Sequence, residues 1–214
     1  EEVKAEIIEK RAFDTNEITK SLTGDDSILV IYKSTPTVEM IFKTKEYSTA
    51  TKLVINGLEL PLHNYELLED GKTTQYTFMT GYGETMTNNF NIEITDSRGF
   101  VTKDIIMNDF VNYIPLSATS TFKRTAPTTG EVAVNFNGIY FNNSFGEEEN
   151  ELYISYAYKK NNEEEYSTPI SLTKDVDFKI INNKFISGNG EEPSFVNLIP
   201  NPLVPFVILA LLLS

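Results

Sequence analysis

Short β-forming runs separated by turn residues constrain this chain more than any other feature. Turn signals recur roughly every ten residues, which is the spacing typical of a β-sandwich or a β-barrel. The apolar runs are dominated by Thr, Val, Ile, Tyr and Phe, whose side chains suit a pleated, half-buried surface. No segment keeps a convincing helical period over about three turns. The pattern therefore predicts an all-β fold.

Residues 89–97 show the alternation of a half-buried strand most clearly. Phe90, Ile92 and Ile94 alternate there with polar side chains, so one face of the strand is predicted to be buried. The dipeptide Asn56-Gly57 favours positive φ at both positions and predicts a tight hairpin. The other predicted strands are residues 28–33, 38–44, 51–56, 73–80, 99–107, 118–125, 131–141, 151–160, 170–173 and 176–182.

Two successive β-sandwich modules account for these runs, one over residues 27–110 and one over residues 111–190. A chain of 214 residues is long enough for two small domains, each with its own core. Residues 1–26 are polar and mixed, and we predict them as a linker or the end of a preceding module. The chain begins with Glu rather than Met, which suggests a fragment or a processed product.

Residues 191–214 form an atypical apolar tail. Prolines at 200, 202 and 205 precede an aliphatic run that is shorter than the roughly 20 residues of a membrane-spanning helix. A frameshifted or truncated gene end, or a cloning artefact that packs as a final strand, is one interpretation, and deleting residues 193–214 would then leave folding intact or improve solubility. A membrane-penetrating tip is the other.

Charge and cysteine content exclude several classes of function. Asp and Glu number 31 against 18 Lys and Arg, so the formal net charge is -13. This surface repels phosphate backbones and argues against nucleic-acid binding. The absence of cysteine rules out disulfides, thiolate catalysis and zinc sites with Cys ligands.

Clusters of polar residues have simpler explanations than catalysis. His63 is the only histidine and has no nucleophile signature beside it. The runs Glu147–Glu149 and Glu163–Glu165 are expected to be solvated loops, although paired carboxylates also catalyse glycoside hydrolysis. We therefore predict no catalytic residue and no cofactor.

Calcium binding is a weaker alternative at three places in the chain. Asp25 with Asp26, Asp175 with Asp177, and the segment 147–150 each carry oxygen ligands. Calcium needs six to eight oxygens, and the sequence has no Asp-rich loop with the spacing of an EF-hand. We therefore predict no metal site.

Aromatic residues form the remaining candidate site. Most of them are predicted to be core or cross-strand pairs, but exposed rings can form a sugar-binding platform. Tyr140 and Phe145 lie beside turn residues, so exposure is expected for these two before the other rings of the set, and we predict that they bind a ligand. The other rings of the set are Phe141, Tyr153, Tyr156 and Tyr158.

Several short motifs follow one another in a fixed order between residues 95 and 146. They are Asp96-Ser97-Arg98-Gly99, Asn112-Tyr113-Ile114-Pro115, Lys123-Arg124, Pro127-Thr128-Thr129-Gly130-Glu131-Val132, Gly138-Ile139-Tyr140-Phe141-Asn142 and Ser144-Phe145-Gly146. Together they resemble a module of phage minor structural proteins. Those proteins lie at the tail tip or in the tail fibres of siphoviruses that infect low-GC Gram-positive bacteria. The resemblance continues more loosely from Ser27 to Gly190.

The resemblance implies tandem immunoglobulin-like or fibronectin-like β-sandwich modules in a virion component that is made in the bacterial cytoplasm. Its expected role is non-enzymatic: to space and present a host-recognition element. Other tail proteins are the expected partners, a host cell-wall glycan and a homo-oligomer in the tail are left open, and neither a membrane nor nucleic acid is expected. A bacterial surface adhesin and a wall-polysaccharide hydrolase fragment are the alternatives.

Overall fold

The protein folds into two compact units. The computed structural model describes residues 3–84, 87–125, 131–160, 164–188, 194–197 and 206–209. Unit 1 comprises Glu1–Tyr113 together with Phe145–Glu148, and unit 2 comprises Ile114–Ser144 and Glu149–Ser214.

Unit 1 is built from two antiparallel sheets. Its elements in chain order are β1 (Glu6–Asp14), α1 (Glu17–Thr23), β2 (Ile28–Val30), β3 (Pro36–Lys43), β4 (Ala50–Ile55), β5 (Leu58–Leu60), β6 (Tyr65–Leu67), β7 (Thr74–Gly81), β8 (Asn89–Asp96), β9 (Val101–Met107) and β10 (Asp109–Val111). The first sheet has the order β1-β3-β7-β6 and the second has the order β5-β4-β8-β9. Strand β10 pairs with β2 in parallel.

One hydrophobic core joins the two sheets of unit 1. Phe42 of the first sheet and Leu53 and Ile94 of the second each have an exposed fraction of 0% and belong to the same cluster. Because alternate residues of both sheets point into this cluster, the sheets form a sandwich. The predicted all-β, sandwich-like fold is confirmed.

Strand β1 closes one side of this sandwich. It pairs with β3 from Glu6↔Lys43 to Asp14↔Pro36. Its outer edge reaches the second sheet, because Lys10 Nζ lies 2.5 Å from Asp104 Oδ1 and Thr102 Oγ1 donates to Ala5 O at 2.8 Å. Residues 6–14 are therefore a structural strand of unit 1, whereas residues 1–26 are predicted from the sequence to be a linker or the end of a preceding module.

Helix α1 follows β1 and has a defined cap at each end. The Asn16 side chain accepts a hydrogen bond from Ile18 N at its start, and Gly24 ends it with φ 71° and an N–H bonded to Lys20 O. Both features are standard ways to satisfy terminal backbone groups. With seven residues, the helix is too short to show the periodicity that sequence analysis relies on.

The Asp96-Ser97-Arg98-Gly99 motif forms the predicted hairpin corner between β8 and β9. Asp96 Oδ1 accepts from the backbone N–H groups of Arg98 and Phe100, at 2.9 and 3.0 Å. The guanidinium of Arg98 bonds to Asp96 Oδ2 and donates to Val3 O. Burial raises the pKa of Asp96, but these hydrogen bonds and the Arg98 charge outweigh burial, so the pKa lies below its ordinary value.

The Asn56-Gly57 hairpin also forms as predicted. Ile55 pairs with Leu58, which leaves only these two residues in the loop. Asn56 has φ 51° and Gly57 has φ 81°, the positive values that a two-residue turn of this type requires.

Unit 2 is also built of strands. Its elements are β11 (Ser117–Arg124), β12 (Glu131–Ile139), β13 (Ser155–Lys160), β14 (Ile170–Ser171), β15 (Phe178–Ile181), β16 (Lys184–Ser187), β17 (Ser194–Asn197) and β18 (Phe206–Leu209). One sheet has the order β11-β12-β16-β15, with β17 also paired to β12, and the other has the order β14-β13-β18. Strand β13 begins at Ser155, so residues 151–154 are not part of the strand predicted over 151–160.

The core of unit 2 depends on a glycine. Phe136, Ile154, Phe178 and Phe185 are buried together in one cluster. Gly138 of β12 lies against the Phe185 ring, because a Cβ at this position would lie 2.4 Å from the ring's Cζ and 2.2 Å from Ser117 O. A glycine in the Gly138–Asn142 motif therefore has a packing explanation.

The C-terminal tail supplies two of these strands. Strand β17 pairs with β12 over Val134–Glu131, and β18 pairs with β13 over Lys160–Ala157. No helix in the described parts of the chain has the length and apolar character needed to cross a membrane. Residues 191–193, 198–205 and 210–214 of the predicted tail lie outside the described residues.

Candidate ligand-binding cleft

The two aromatic residues predicted to be exposed are both buried. Tyr140 is 4% exposed and its ring meets that of Phe185 edge-on, with 6.2 Å between centroids. Phe145 is 8% exposed and lies beside the ring of Tyr113 at 5.9 Å. The prediction of exposure is wrong because turn residues next to a ring do not prevent it from packing inward. The binding role assigned to these rings stays a prediction.

Tyr140 nevertheless lines a cleft in unit 2, which we call the unit-2 cleft. The cleft has a volume of about 600 Å³. Its buried lining includes Tyr140, Ile154 and Phe178, which are at most 4% exposed. Its remaining lining residues are Asn142, Glu149, Asn150, Glu151, Leu152, Tyr153, Ser155, Ser171, Leu172, Lys174 and Ile180. A concave surface with apolar walls and a few polar groups is the usual form of a small-ligand site.

Amide side chains hold the walls of the unit-2 cleft in place. Asn142 Oδ1 accepts from the Tyr140 hydroxyl at 2.6 Å, and Asn142 Nδ2 donates to Asn182 O at 2.6 Å. Asn150 Nδ2 donates to Phe141 O at 2.6 Å. Because these amides already form hydrogen bonds within the protein, they hold the cleft walls in position. Other polar groups of the cleft are more available to a ligand.

Tyr153 is the aromatic residue of the cleft that faces solvent. Its exposed fraction is 62%, and its hydroxyl donates to Glu151 Oε2. This hydrogen bond to a carboxylate, followed by the negative charge of Glu151, raises the pKa of the Tyr153 phenol. Tyr140 also has a raised pKa, but there burial is the cause. Tyr153 therefore offers an exposed ring whose edge is oriented by an acidic neighbour.

Tyr153 is among the rings considered from the sequence but is not one of the two selected, although the signal for its exposure is present. Leu152 is partly buried and Ile154 is 2% exposed, so the residue between them points away from the core. Alternation of this kind identifies the exposed residue of an extended segment without any reference to turns. Of the six predicted rings, Tyr153 is therefore the best candidate to contact a ligand.

The other polar candidates lie in turns and loops. His63 is exposed in the connection between β5 and β6. Asp25 Oδ1 accepts from Ser27 N at 2.7 Å, and this hydrogen bond lowers the pKa of Asp25. Asp177 Oδ2 accepts from Thr173 N at 2.7 Å. These carboxylates stabilise local turns.

Metal ligation finds little support in the described residues. Among them, no group of three or more His, Asp or Glu side chains is placed to hold a metal ion. Glu147, Glu148 and Glu149 are exposed, as are Glu164 and Glu165, while Glu163 lies outside the described residues.

Comparison with known proteins adds little to this description. No protein-family model matches the chain. No curated protein matches it either. A solved structure of tandem Ig domains of titin is similar at 12% sequence identity, with 96% of this chain and 94% of that chain covered and a TM-score of 0.26. A TM-score this low does not establish a shared fold, so the all-β sandwich assignment rests on the strand pairing and the core of the chain itself.

Proposed function

We propose that this chain is a non-enzymatic component of a phage tail tip or tail fibre, and that its unit-2 cleft binds a glycan of the host surface. The β-sandwich architecture suits a structural or adhesion-type module. The viral part of the proposal is supported by the ordered motifs between residues 95 and 146. The proposed location of the chain is the virion, and its proposed partners are other tail proteins.

The exposed ring of Tyr153 above a cleft of about 600 Å³ is the observation that carries the binding role. Aromatic rings offer large, rigid surfaces that pack against the apolar face of a sugar with little entropy cost. The carboxylates of Glu149 and Glu151 and the ammonium of Lys174 line the same cleft and can bond to hydroxyl groups. This combination fits a polyhydroxylated ligand better than an apolar one.

Hydrolysis of the same ligand is less well supported. A glycoside hydrolase needs two carboxyl groups whose environments separate the roles of acid and base. Glu149 and Glu151 are both exposed. Exposed carboxylates are suited to hydrogen bonding with a sugar, which supports recognition in preference to cleavage.

Binding of the purified chain to a glycan array and to isolated Gram-positive cell walls tests this proposal. We expect saturable binding that Tyr153→Ala weakens about fivefold, since stacking on one ring is worth on the order of 1 kcal/mol. Tyr65→Ala is the matched control, because Tyr65 is 66% exposed, close to the 62% of Tyr153, and lies in unit 1.

Two results would count against the binding role. One is equal loss of binding in both variants, and the other is the absence of binding to every glycan and wall fraction. The tail location has a separate test. Phage particles whose genome encodes this chain are labelled with a gold-conjugated antibody against it and viewed by electron microscopy. Label on the tail supports the location, and label that stays in the host cell and misses the particles contradicts it.

A further inference from the structure

Most of the charged side chains that line the unit-2 cleft are negative. Glu149 and Glu151 contribute two carboxylates, and Lys174 is the only cationic side chain among the described lining residues. The chain as a whole carries a formal net charge of -13, which adds to the negative potential at its surface. A cationic group is therefore favoured in this cleft over an anionic one.

The aromatic wall of the cleft favours the same sign of charge. The face of a tyrosine ring attracts cations, and the Tyr153 ring is 62% exposed. The Tyr153 hydroxyl donates to Glu151, so the ring and one carboxylate are held together as a pair. An ammonium group that contacts the ring is thus also close to a carboxylate that can accept its hydrogen bonds.

We propose that the unit-2 cleft selects sugars that carry a free ammonium group, such as the amino group of a hexosamine without its N-acetyl substituent. This inference rests on the proposed glycan-binding function and goes further by naming the charge of the preferred sugar. N-acetylation replaces the ammonium with a neutral amide, which removes the attraction to both the ring and the carboxylates.

Lys174 gives the proposal a prediction of opposite sign. The Lys174 ammonium is exposed in the same cleft and repels a cationic ligand. Lys174→Gln should therefore strengthen binding of an amino sugar, whereas Glu149→Gln with Glu151→Gln should weaken it. Damage to the fold weakens binding in every variant, so an increase in affinity cannot arise from that cause.

Calorimetric titration with two chitotetraose probes tests the proposal, one fully deacetylated and the other fully N-acetylated. They have the same length and linkage and differ only in the substituent on the nitrogen, which is a charged ammonium in one probe and a neutral acetamide in the other. We expect the whole chain to bind the deacetylated probe about tenfold more tightly, which corresponds to one ring contact plus one exposed ion pair. Added salt should reduce this preference, because exposed charges are screened.

Variants of the charged lining residues then separate the contribution of charge to this preference from that of the ring contact. Glu149→Gln with Glu151→Gln should reduce the preference to about threefold, the share that the ring contact supplies, and Lys174→Gln should increase it by a few-fold. Glu165→Gln is the matched control, since Glu165 is an exposed acidic residue of unit 2 outside the cleft lining. It should leave both affinities unchanged.

Equal binding of the two probes, tighter binding of the N-acetylated probe, or failure to bind the deacetylated probe would each overturn this inference. None of these results removes the proposed glycan-binding function if the array and the wall fractions still show binding that depends on Tyr153. Loss of that binding is what removes the proposed function itself.

Discussion

Asp96 shows how one side chain can account for a whole motif. Its carboxylate has a side-chain exposure of 0% and is neutralised by Arg98, whose guanidinium lies 2.7 Å away. It also accepts two backbone N–H bonds that shape the β8–β9 corner. A buried charge is costly without such partners, so the arginine is a structural requirement of this corner.

Arg98→Ala should therefore destabilise unit 1 by about 1–3 kcal/mol at neutral pH, because it leaves a buried carboxylate without its cation. The measurement is urea unfolding of the whole chain across a range of pH. Lys103→Ala is the control, since Lys103 pairs with Glu93 at an exposed site. Its loss should cost less than about 1 kcal/mol.

The pH dependence of this effect has a defined sign. The folded-state pKa of Asp96 lies below the ordinary 3.8, so the ionised carboxylate stabilises the fold fully above pH 3.8. This stability is lost as the pH falls through the folded-state pKa. Protonation removes the negative charge of Asp96 that Arg98 neutralises. The difference in unfolding free energy between wild type and Arg98→Ala should therefore shrink at acid pH. A difference that stays constant across the range would contradict the assigned role.

At the scale of elements, regular alternation made strands predictable. Residues 38–44 and 89–97 were predicted as strands and correspond to β3 and β8. The hairpin at Asn56-Gly57 was predictable because its backbone requirement is local. Such elements are specified by neighbouring residues, without information from distant parts of the chain.

Strand β1 could not be predicted in the same way. Its register shifts between Ile7 and Glu9, which breaks the period of two. Lys10 pairs with Met40 in this strand, and its ammonium is paired with Asp104 of β9. The same limit applies to the candidate site, where the burial of Tyr140 depends on Phe185, which is distant in sequence. Long-range contacts of this kind leave no local pattern.

Removing residues 1–14 should abolish cooperative unfolding of unit 1. Strand β3 would lose a partner along its length, and Ala5 and Ala12 would be lost from the core. Circular dichroism during urea unfolding checks this expectation, with a chain that lacks only residues 1–2 as the control. If the chain without residues 1–14 unfolds as cooperatively as the control, β1 is not required for the core of unit 1.

At the scale of the whole molecule, each unit buries its own hydrophobic cluster. Phe42, Leu53 and Ile94 belong to the cluster of unit 1, whereas Phe136 and Phe185 belong to the cluster of unit 2. Each cluster is the driving force for folding of its own unit. This separation suits the proposed role, since a tail component can keep one unit as a rigid spacer while the other unit binds.

Scanning calorimetry of the whole chain should therefore show two unfolding transitions. Gly138→Ala should lower only the transition of unit 2, because the new methyl group collides with Phe185 and overpacking costs about 1–3 kcal/mol, or several degrees in a domain of this size. Arg98→Ala should lower only the other transition. Gly83→Ala is the control for the glycine change, since a Cβ at Gly83 meets nothing within 4 Å. A single transition that both variants shift equally would mean that the two cores unfold as one cooperative unit.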